Sequence, residues 1–442
     1  MSYWILSLAG VACLTVAALP KHTNNMERGS VPAKQWDWTG IIGTGQSLSV
    51  GARAMPVKST GQPYGNMKLS TGNLPWPVDP DAPSLHLEPL IEPIGRIAPN
   101  YPSSWPENID GETPHTAASI QISALSQAND KHAFVTVHSA VGEDGQGMIY
   151  LKKNPEKKGL NGRSYEAALI ETKAITRLAK AANKSYGVGA IFVTHGETDC
   201  GNVNYGKELY QLWNDYNTDL RAITGQMRPI LMIVSQQNSI MDHAPSTLAQ
   251  WRAGTDHPTE IVCSGPKYQY PYVADAVHLN AEGYQLLGEK YGEVFYERFV
   301  LGHNWQPLQP IGINRTGQVI VVKFHVPNKA LTWDTSFETP HAATPEWKNG
   351  KGFEVVTSNG DNVKIESVEI SRGGDQVVVT CASDPGPNAK ISYAMVAEKA
   401  ARKSPSPGTT RWGLLRDSDA SVGVTSKQKL PNYCVAFELA VP

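Results

Sequence analysis

The sequence predicts an α/β protein whose main domain is a three-layer, doubly wound parallel sheet, followed by a C-terminal β-sandwich domain. Short apolar runs at residues 38–43, 188–194 and 229–234 alternate with segments of helical apolar spacing, such as residues 165–182. Strands that alternate with helices over this length favour a parallel sheet covered by helices on both faces. We therefore expect residues 36–300 to form one α/β domain.

The residue pattern changes after this stretch. Short β-type runs, separated by Asn-Gly, Gly-Gly and Pro-Gly signals, lie at residues 319–322, 353–356, 363–370, 377–380 and 435–441. Runs of this length with turn signals between them are typical of an antiparallel sandwich. The sequence therefore predicts a separate β-sandwich accessory domain over residues 305–442.

The N-terminal segment has the features of an export signal. Residues 4–19 are almost continuously apolar, which matches the core of a signal peptide and is short for a membrane span. Ala17 and Ala18 lie near the end of this run and are small enough for a cleavage site, although no Lys or Arg precedes the run. We expect residues 1–20 to be a signal peptide and the protein to be secreted or periplasmic, with no other membrane-spanning stretch.

The composition is that of an ordinary globular protein of low charge. Of 442 residues, 40% are hydrophobic and 18% are charged, and the formal net charge is -2. Such a chain gives no electrostatic sign of binding to nucleic acid or to an anionic membrane surface. The 11 Trp and 17 Tyr residues outnumber the 8 Phe residues, which suits a sugar-binding surface or a β-rich core equally well.

The cysteines leave two arrangements open. Cys13 would be removed with the signal peptide, and four cysteines would remain. Disulfides joining Cys200 to Cys263 and Cys381 to Cys434 would each stay within one domain, and four free, buried thiols are the alternative. The sequence has no Cys-x-x-Cys pair and no His cluster, so it predicts no metal site and no cofactor.

A Gly-rich bend follows the first predicted strand. The β-branched Ile41 and Ile42 lead into Gly43 and Gly45, and Ser47 comes next. Because glycine adopts backbone angles that other residues resist, such a strand can deliver a serine nucleophile to the carboxyl edge of the sheet. The alternative is a simple turn in which Ser47 caps the helix that follows.

Two further polar groups stand at the ends of predicted elements. Asp275 and His278 lie just before the helix predicted at residues 285–299, so the carboxylate can orient the imidazole and fix its tautomer. Residues 194–199 come directly after the apolar run at 188–194. Since the carboxyl ends of parallel strands meet at one edge of a sheet, we expect these groups to lie together there.

In these motifs the sequence resembles the SGNH hydrolases, the GDSL-like esterase superfamily, and within it the carbohydrate esterase branch of sialate O-acetylesterases and acetylxylan esterases. The resemblance rests on Gly45-Gln46-Ser47, on Asp275 with His278, and on Gly196-Glu197-Thr198-Asp199, in scattered blocks between residues 36 and 299. The sequence departs from the branch at Leu48, where Asn is usual, and at His195, where Gln is usual.

The resemblance implies a catalytic triad. Ser47 would attack an ester carbonyl, His278 would act as the general base, and Asp275 would orient His278. The oxyanion would be held by the N–H groups of Ser47 and of a glycine in the loop after the strand predicted at residues 132–137. Gly145 fits the family pattern best, and Gly142 is the alternative.

Other residues of the matching blocks are expected to support this site. His195 or Thr198 would supply a third oxyanion donor. Glu197 and Asp199 are expected to hold the loops at the strand ends, because buried carboxylates must find partners. Gln46 is expected to support the serine turn in the same way.

The predicted function is that of a secreted serine esterase that removes O-acetyl groups from a polysaccharide or oligosaccharide. Its expected partner is this acetylated carbohydrate, with no nucleic acid and no membrane span. An esterase for lipids or small-molecule esters would use the same triad, but no long apolar stretch suggests a lipid lid. A glycan-binding protein that has lost catalysis is a further alternative, because Leu48 and His195 depart from the esterase pattern.

Overall fold

The computed structural model describes most of the chain. It covers residues 17–18, 36–70, 78–94, 111–130, 134–154, 156, 159, 161–239, 243–336, 349–395 and 413–442. The predicted signal peptide therefore lies outside the described residues, apart from Ala17–Ala18 (β1), which pairs antiparallel with residues 312–313.

A seven-stranded, mostly parallel sheet forms the centre of the α/β part. Its strands are β2 (Trp38–Gly45), β3 (Met67–Leu69), β4 (Leu87–Pro89), β5 (Thr136–Ala140), β6 (Tyr186–Thr194), β7 (Leu231–Gln236) and β8 (Ile261–Pro266). Their order across the sheet is β4-β3-β5-β2-β6-β7-β8, and only β3 and β4 pair antiparallel. The strand that leads to the serine turn, β2, is therefore central.

Six α-helices accompany this sheet in the described residues: α1 (Pro114–Asp130), α2 (Met148–Leu151), α3 (Arg163–Ala181), α4 (Tyr205–Thr224), α5 (Pro245–Asp256) and α6 (Ala281–Phe295). The chain also forms 3-10 turns at Ser47–Ser49 and Lys267–Gln269, and a π-helical turn at Tyr296–Val300 that continues α6.

Helices lie on both faces of the sheet because successive strand residues point to opposite sides. On β2, Ile41 packs in an apolar cluster with residues of α1 and α6, whereas Ile42 packs in another with residues of α3, α4 and α5. This alternation is the period-two geometry of a strand. The predicted α/β architecture with a mostly parallel sheet is confirmed.

The structure differs from the predicted elements at β5, α5 and β8. The strand predicted at residues 132–137 instead begins at Thr136 and ends at Ala140. It continues through the polar His138, which is buried and whose Nδ1 lies 2.8 Å from Nδ1 of His115 on α1. The sequence gives no clear signal for α5 or β8, since β8 ends in Ser, Gly and Pro, which are turn-forming residue types.

Glu171 of α3 is a buried carboxyl group that links stability to pH. Burial raises its pKa to about 7, although a hydrogen bond with the Ser139 side chain opposes this. The folded state therefore holds a proton that the unfolded chain releases near pH 4.5, so stability is lost as the pH rises from there to about 7. We expect the unfolding free energy of Glu171→Gln, relative to wild type, to rise across this window by about 1.4 kcal/mol per pH unit.

Urea titrations of both proteins across this pH range measure the difference. Glu166→Gln, at an exposed position of the same helix, is the control for replacing a glutamate in α3. A difference between Glu171→Gln and wild type that stays flat across the window would contradict a protonated Glu171.

Antiparallel sheets make up the C-terminal part. Their strands are β9 (Gln309–Thr316), β10 (Val319–His325), β11 (Thr332–Trp333), β12 (Phe353–Val356), β13 (Asn362–Val363), β14 (Ile365–Ile370), β15 (Gln376–Cys381), β16 (Lys390–Tyr393), β17 (Leu415–Arg416) and β18 (Phe437–Ala440). They form a five-stranded sheet in the order β1-β9-β10-β15-β14, a four-stranded sheet in the order β13-β12-β16-β18, and the pair β11-β17.

Buried hydrogen bonds join the C-terminal part to the α/β part. At the end of β7, the Gln236 amide donates to the Ala436 carbonyl at 2.9 Å and accepts from the Ala436 N–H at 2.8 Å. The Tyr268 hydroxyl donates to the Cys434 carbonyl, and the Trp251 ring donates to Gln309 Oε1 at 2.7 Å. Buried polar groups need hydrogen-bond partners, and in these contacts polar groups of the α/β part find their partners in the C-terminal part.

The cysteines and the apolar character of the helices bear on two expectations from the sequence. Cys200, Cys263, Cys381 and Cys434 are all free, so the alternative of four thiols is the one observed, and Cys200 is only partly buried. Within the described ranges, no helix combines the length and the apolar character that crossing a membrane requires.

Candidate active site

The turn after β2 places Ser47 at the carboxyl edge of the sheet. Gly45 has φ +142, and a Cβ on it would lie 2.1 Å from the Thr194 carbonyl oxygen of β6. The next N–H, that of Gln46, donates to this same carbonyl at 3.2 Å, so the chain leaves β2 tightly against β6. Only glycine fits this approach, which explains the Gly-Gln-Ser pattern.

Asp275 and His278 meet Ser47 from the loop before α6. Ser47 Oγ lies 2.8 Å from His278 Nε2, and His278 Nδ1 lies 2.7 Å from Asp275 Oδ2. Asp275 Oδ1 accepts the N–H groups of Val277 and His278 at 2.8 and 2.9 Å. The structure thus brings together three of the predicted residues in a serine–histidine–aspartate arrangement, and the Ser47 hydroxyl contacts a base rather than capping a helix.

Electrostatics fix the tautomer of His278. Partial burial works against the charged form of Asp275, but the hydrogen bonds from the His278 ring and from the two backbone N–H groups lower its pKa to about 2. The carboxylate therefore stays ionised and can only accept, so His278 Nδ1 carries the proton. His278 Nε2 is then left to take the proton of Ser47 Oγ, as general-base catalysis requires.

The glycine loop after β5 packs against the serine turn at Gly142. A Cβ on Gly142 would lie 1.8 Å from Ser49 Oγ and 2.9 Å from the Gly45 carbonyl oxygen. Gly145 instead lies on an exposed turn, where a Cβ would meet nothing within 4 Å. This packing favours Gly142, the alternative, over Gly145 as the glycine next to the nucleophile.

His195 does not occupy the position expected of a third oxyanion donor. Its ring is fully buried, with Nε2 3.0 Å from the Gln146 carbonyl oxygen and Nδ1 2.9 Å from the Tyr205 hydroxyl. Because a carbonyl only accepts, Nε2 donates to Gln146 and Nδ1 accepts from Tyr205. Burial also lowers the pKa of His195, which keeps the ring neutral. The expectation is corrected: His195 holds the Gln146 loop, and no ring N–H remains for an oxyanion.

Thr198, Gln46 and Asp199 connect the loops around Ser47. Gln46 Oε1 accepts the Thr198 N–H at 3.1 Å, and the exposed Thr198 hydroxyl lies 3.4 Å from the Gly145 carbonyl oxygen. Asp199 Oδ2 accepts the N–H of Met148, at the start of α2, at 2.6 Å. Gln46 and Asp199 thus each hold a main-chain N–H of a neighbouring loop, and their supporting roles stay predictions. Thr198 stays the remaining candidate for a third donor.

A buried ion pair behind these loops was not foreseen from the sequence. Lys267, directly after β8, pairs with Glu197 after β6, and their side chains are 0% and 2% exposed. Burial lowers the pKa of Lys267, while the Glu197 carboxylate opposes this change. In the sequence, Lys267 stands alone and belongs to no motif. It could have been assigned to the sheet edge only if β8 had been recognised as a strand.

Two more charged residues near the site belong to none of the sequence motifs. Glu143 donates its N–H to the Gly45 carbonyl at 2.9 Å, and its carboxylate is held by Arg163 at the start of α3. Arg53 Nη1 lies 3.0 Å from Asp275 Oδ2. Glu143 therefore fastens the glycine loop to the serine turn, and Arg53 adds a cation beside the His–Asp pair.

The described residues contain no group of three or more His, Cys, Asp or Glu side chains that could hold a metal ion. The chemistry that these side chains offer by themselves is nucleophilic attack by a hydroxyl with an adjacent base. That arrangement suits acyl transfer.

The chain shares its fold with a protein of known structure. No family model and no curated protein matches the sequence. A carbohydrate acetylesterase from Xanthomonas citri has a similar structure, with a TM-score of 0.53 and 12% identity over 91% of this chain and 80% of that chain. At this identity the likeness shows the fold alone, which agrees with the α/β fold that the sequence motifs imply.

Two further solved structures match a smaller share of this chain. A protein from Arabidopsis thaliana has 14% identity and a TM-score of 0.40 over 59% of this chain and 99% of that chain. A carbohydrate acetylesterase from Sinorhizobium meliloti has 13% identity and a TM-score of 0.30 over 58% of this chain and 97% of that chain. Of the three structures, only that from Xanthomonas citri has a TM-score above 0.5.

Proposed function

We propose that the protein is a serine esterase that removes O-acetyl groups from a carbohydrate. The observation that carries this proposal is the continuous hydrogen-bonded chain from Ser47 Oγ through His278 to Asp275, at 2.8 and 2.7 Å. A neutral imidazole oriented by an ionised carboxylate is the base that a serine nucleophile needs. The carbohydrate ester as substrate is supported by the name of the Xanthomonas citri structure, whose fold the chain shares.

The mechanism follows from these positions. Ser47 Oγ attacks the ester carbonyl carbon while His278 Nε2 takes its proton. The oxyanion accepts from the Ser47 N–H, which makes no other hydrogen bond within the described residues, and from the glycine loop at residues 142–145. The tetrahedral intermediate then expels the sugar hydroxyl, which receives the proton from His278. Water then attacks the acyl-serine while His278 takes one of its protons. As the bond to Ser47 Oγ breaks, His278 returns this proton to Ser47 and acetate is released.

Acetate release tests the substrate class. We expect the protein to liberate acetate from O-acetylated polysaccharides such as acetylated xylan or pectin. We also expect it to hydrolyse 4-nitrophenyl acetate with a higher kcat/KM than 4-nitrophenyl octanoate. Faster hydrolysis of the octanoate, without acetate release from any polysaccharide, would instead indicate an esterase for lipids.

The domain organisation and the location belong to the same proposal. A β-sandwich over residues 305–442 is supported by the five- and four-stranded antiparallel sheets, whose buried residues Val322, Val379, Val355 and Ile391 belong to one apolar cluster. The same cluster also includes Ile42 of the α/β part, so the two parts pack against each other. Secretion or delivery to the periplasm is supported by the apolar segment at residues 4–19 alone. A substrate outside the cytoplasm is consistent with both.

A further inference from the structure

Arg53 has an unusual backbone that turns its side chain out beside the proposed triad. It has φ +60, a left-handed conformation that is uncommon for residues other than glycine. Its neighbours Ala52 and Ala54 are fully buried, and the Ala52 N–H donates to the Ser47 carbonyl at 3.0 Å. The Arg53 side chain is nevertheless 47% exposed. Seven other described residues that are not glycine also have a positive φ, so it is the contact with Asp275 that links this feature of Arg53 to the proposed site.

The guanidinium is not needed to hold Asp275. Asp275 already accepts the backbone N–H groups of Val277 and His278 on one oxygen and the ring of His278 on the other. Arg53 Nη1 adds a further bond, at 3.0 Å, to the oxygen that His278 uses. Orientation of the carboxylate is therefore determined without Arg53.

The charge of Arg53 works against the proposed reaction. During attack by Ser47, His278 becomes an imidazolium, and the carboxylate of Asp275 stabilises that positive charge. A guanidinium on the same carboxylate repels the imidazolium. Binding of an anionic substrate by Arg53 would offset this repulsion and give the cation a role beside the triad.

The remaining donors of Arg53 suit a carboxylate. A guanidinium has five N–H donors in a planar fork that matches a carboxylate, and in this structure one terminal nitrogen contacts Asp275. Across the described part of the chain, Arg53 is the one cationic side chain that contacts the proposed triad. Arg53 is connected to Ser47 through Asp275 and His278 by contacts of 3.0, 2.7 and 2.8 Å. An anion bound on its exposed side would therefore lie close to the proposed triad, and its charge would offset the repulsion on His278.

We propose that Arg53 binds a carboxylate of the substrate beside the scissile ester, so that the preferred substrates are O-acetylated acidic carbohydrates. This rests on the esterase function proposed above. It assigns to Arg53 the role of a specificity-determining residue, distinct from the positioning role that its contact with Asp275 alone would suggest.

The test compares one sugar with and without its charge. The substrates are O-acetylated oligogalacturonides with free carboxylates and the same oligosaccharides with methyl-esterified carboxylates. We expect wild type to prefer the charged form in kcat/KM by about 10- to 100-fold, the range that charge-assisted hydrogen bonds give. Arg53→Gln should lose this preference through a higher KM, and should raise kcat on uncharged 4-nitrophenyl acetate by about two- to fivefold because the repulsion on His278 is removed.

Two further variants make the result specific. Arg53→Lys keeps the charge without the fork and should retain part of the preference. Lys58→Gln removes a cation of similar exposure, 49%, whose contact is with Glu282 at 3.7 Å, and it should retain the whole preference. Equal losses of Arg53→Gln on charged and methyl-esterified substrates, or no preference in wild type, would overturn the proposal and leave Arg53 as a positioning residue.

Binding to Ser47→Ala protein separates this proposal from the esterase function. Calorimetry with O-acetylated oligogalacturonides should show affinity that falls when Arg53→Gln is added to Ser47→Ala. If wild type hydrolyses no ester but this binding depends on Arg53, the esterase function fails and the carboxylate site stands. If wild type hydrolyses esters and neither binding nor preference depends on Arg53, the carboxylate site alone fails.

Discussion

Replacing Ser47 with alanine is expected to abolish turnover of 4-nitrophenyl acetate, lowering kcat by about 10⁶-fold, as loss of the nucleophile does in serine hydrolases. The reason is geometric: Ser47 Oγ is the hydroxyl that lies 2.8 Å from the His278 base. Residual activity would come from the oxyanion donors and from binding. Steady-state release of 4-nitrophenol by purified protein measures this difference directly.

The control is Ser49→Ala, on the same turn. Ser49 is also buried, but its hydroxyl donates to the Gln46 carbonyl at 2.7 Å and does not contact His278. We expect this variant to keep most of the activity. Equal rates for wild type and Ser47→Ala would contradict a nucleophilic Ser47. If wild type were as inactive as the variant, including on acetylated polysaccharides, a glycan-binding protein without catalysis would become the leading interpretation.

Replacing Lys267 with methionine is expected to lower the free energy of unfolding by about 3–5 kcal/mol, because it leaves a buried carboxylate without its counter-charge. Glu197 and Lys267 are 2% and 0% exposed, so neither charge can be solvated by water. The double variant Glu197→Gln/Lys267→Met should recover much of this loss, since it buries no charge at all. Urea unfolding of the three proteins at neutral pH measures the effect.

A partly exposed ion pair provides the matched control. Lys152 Nζ lies 2.8 Å from Glu208 Oε1, with side chains 37% and 26% exposed. Lys152→Met should cost about 1 kcal/mol or less, because water screens and solvates such a pair. If Lys267→Met and Lys152→Met cost the same, burial of the Glu197–Lys267 pair would not have the energetic importance assigned to it.

Elements that rest on local pattern could be predicted from the sequence. β2 and β6 are apolar runs, and α3 and α4 have helical spacing, so period alone identifies them. Ser47, Asp275 and His278 could be grouped because each stands at the end of an element that leads to the same sheet edge. Their catalytic roles stay predictions until Ser47→Ala is measured.

Contacts that depend on the exact path of loops could not be predicted. The choice between Gly142 and Gly145 depends on which glycine packs against Ser49, which spacing in one chain does not encode. His195 matches a motif position, yet the ring is fully used by Gln146 and Tyr205. Partners of this kind are set by tertiary packing between segments far apart in the sequence.

The reciprocal amide bond between Gln236 and Ala436 makes the two parts of the protein thermodynamically linked. Gln236 ends β7, at the same edge of the sheet as Ser47. Within the described residues, its amide bonds to the main chain of Ala436 at 2.9 and 2.8 Å and to the Thr247 carbonyl at 2.9 Å. Local opening around residue 436 would strand both groups of a buried amide. We therefore expect the sheet edge that carries Ser47 and the antiparallel sheets to unfold together.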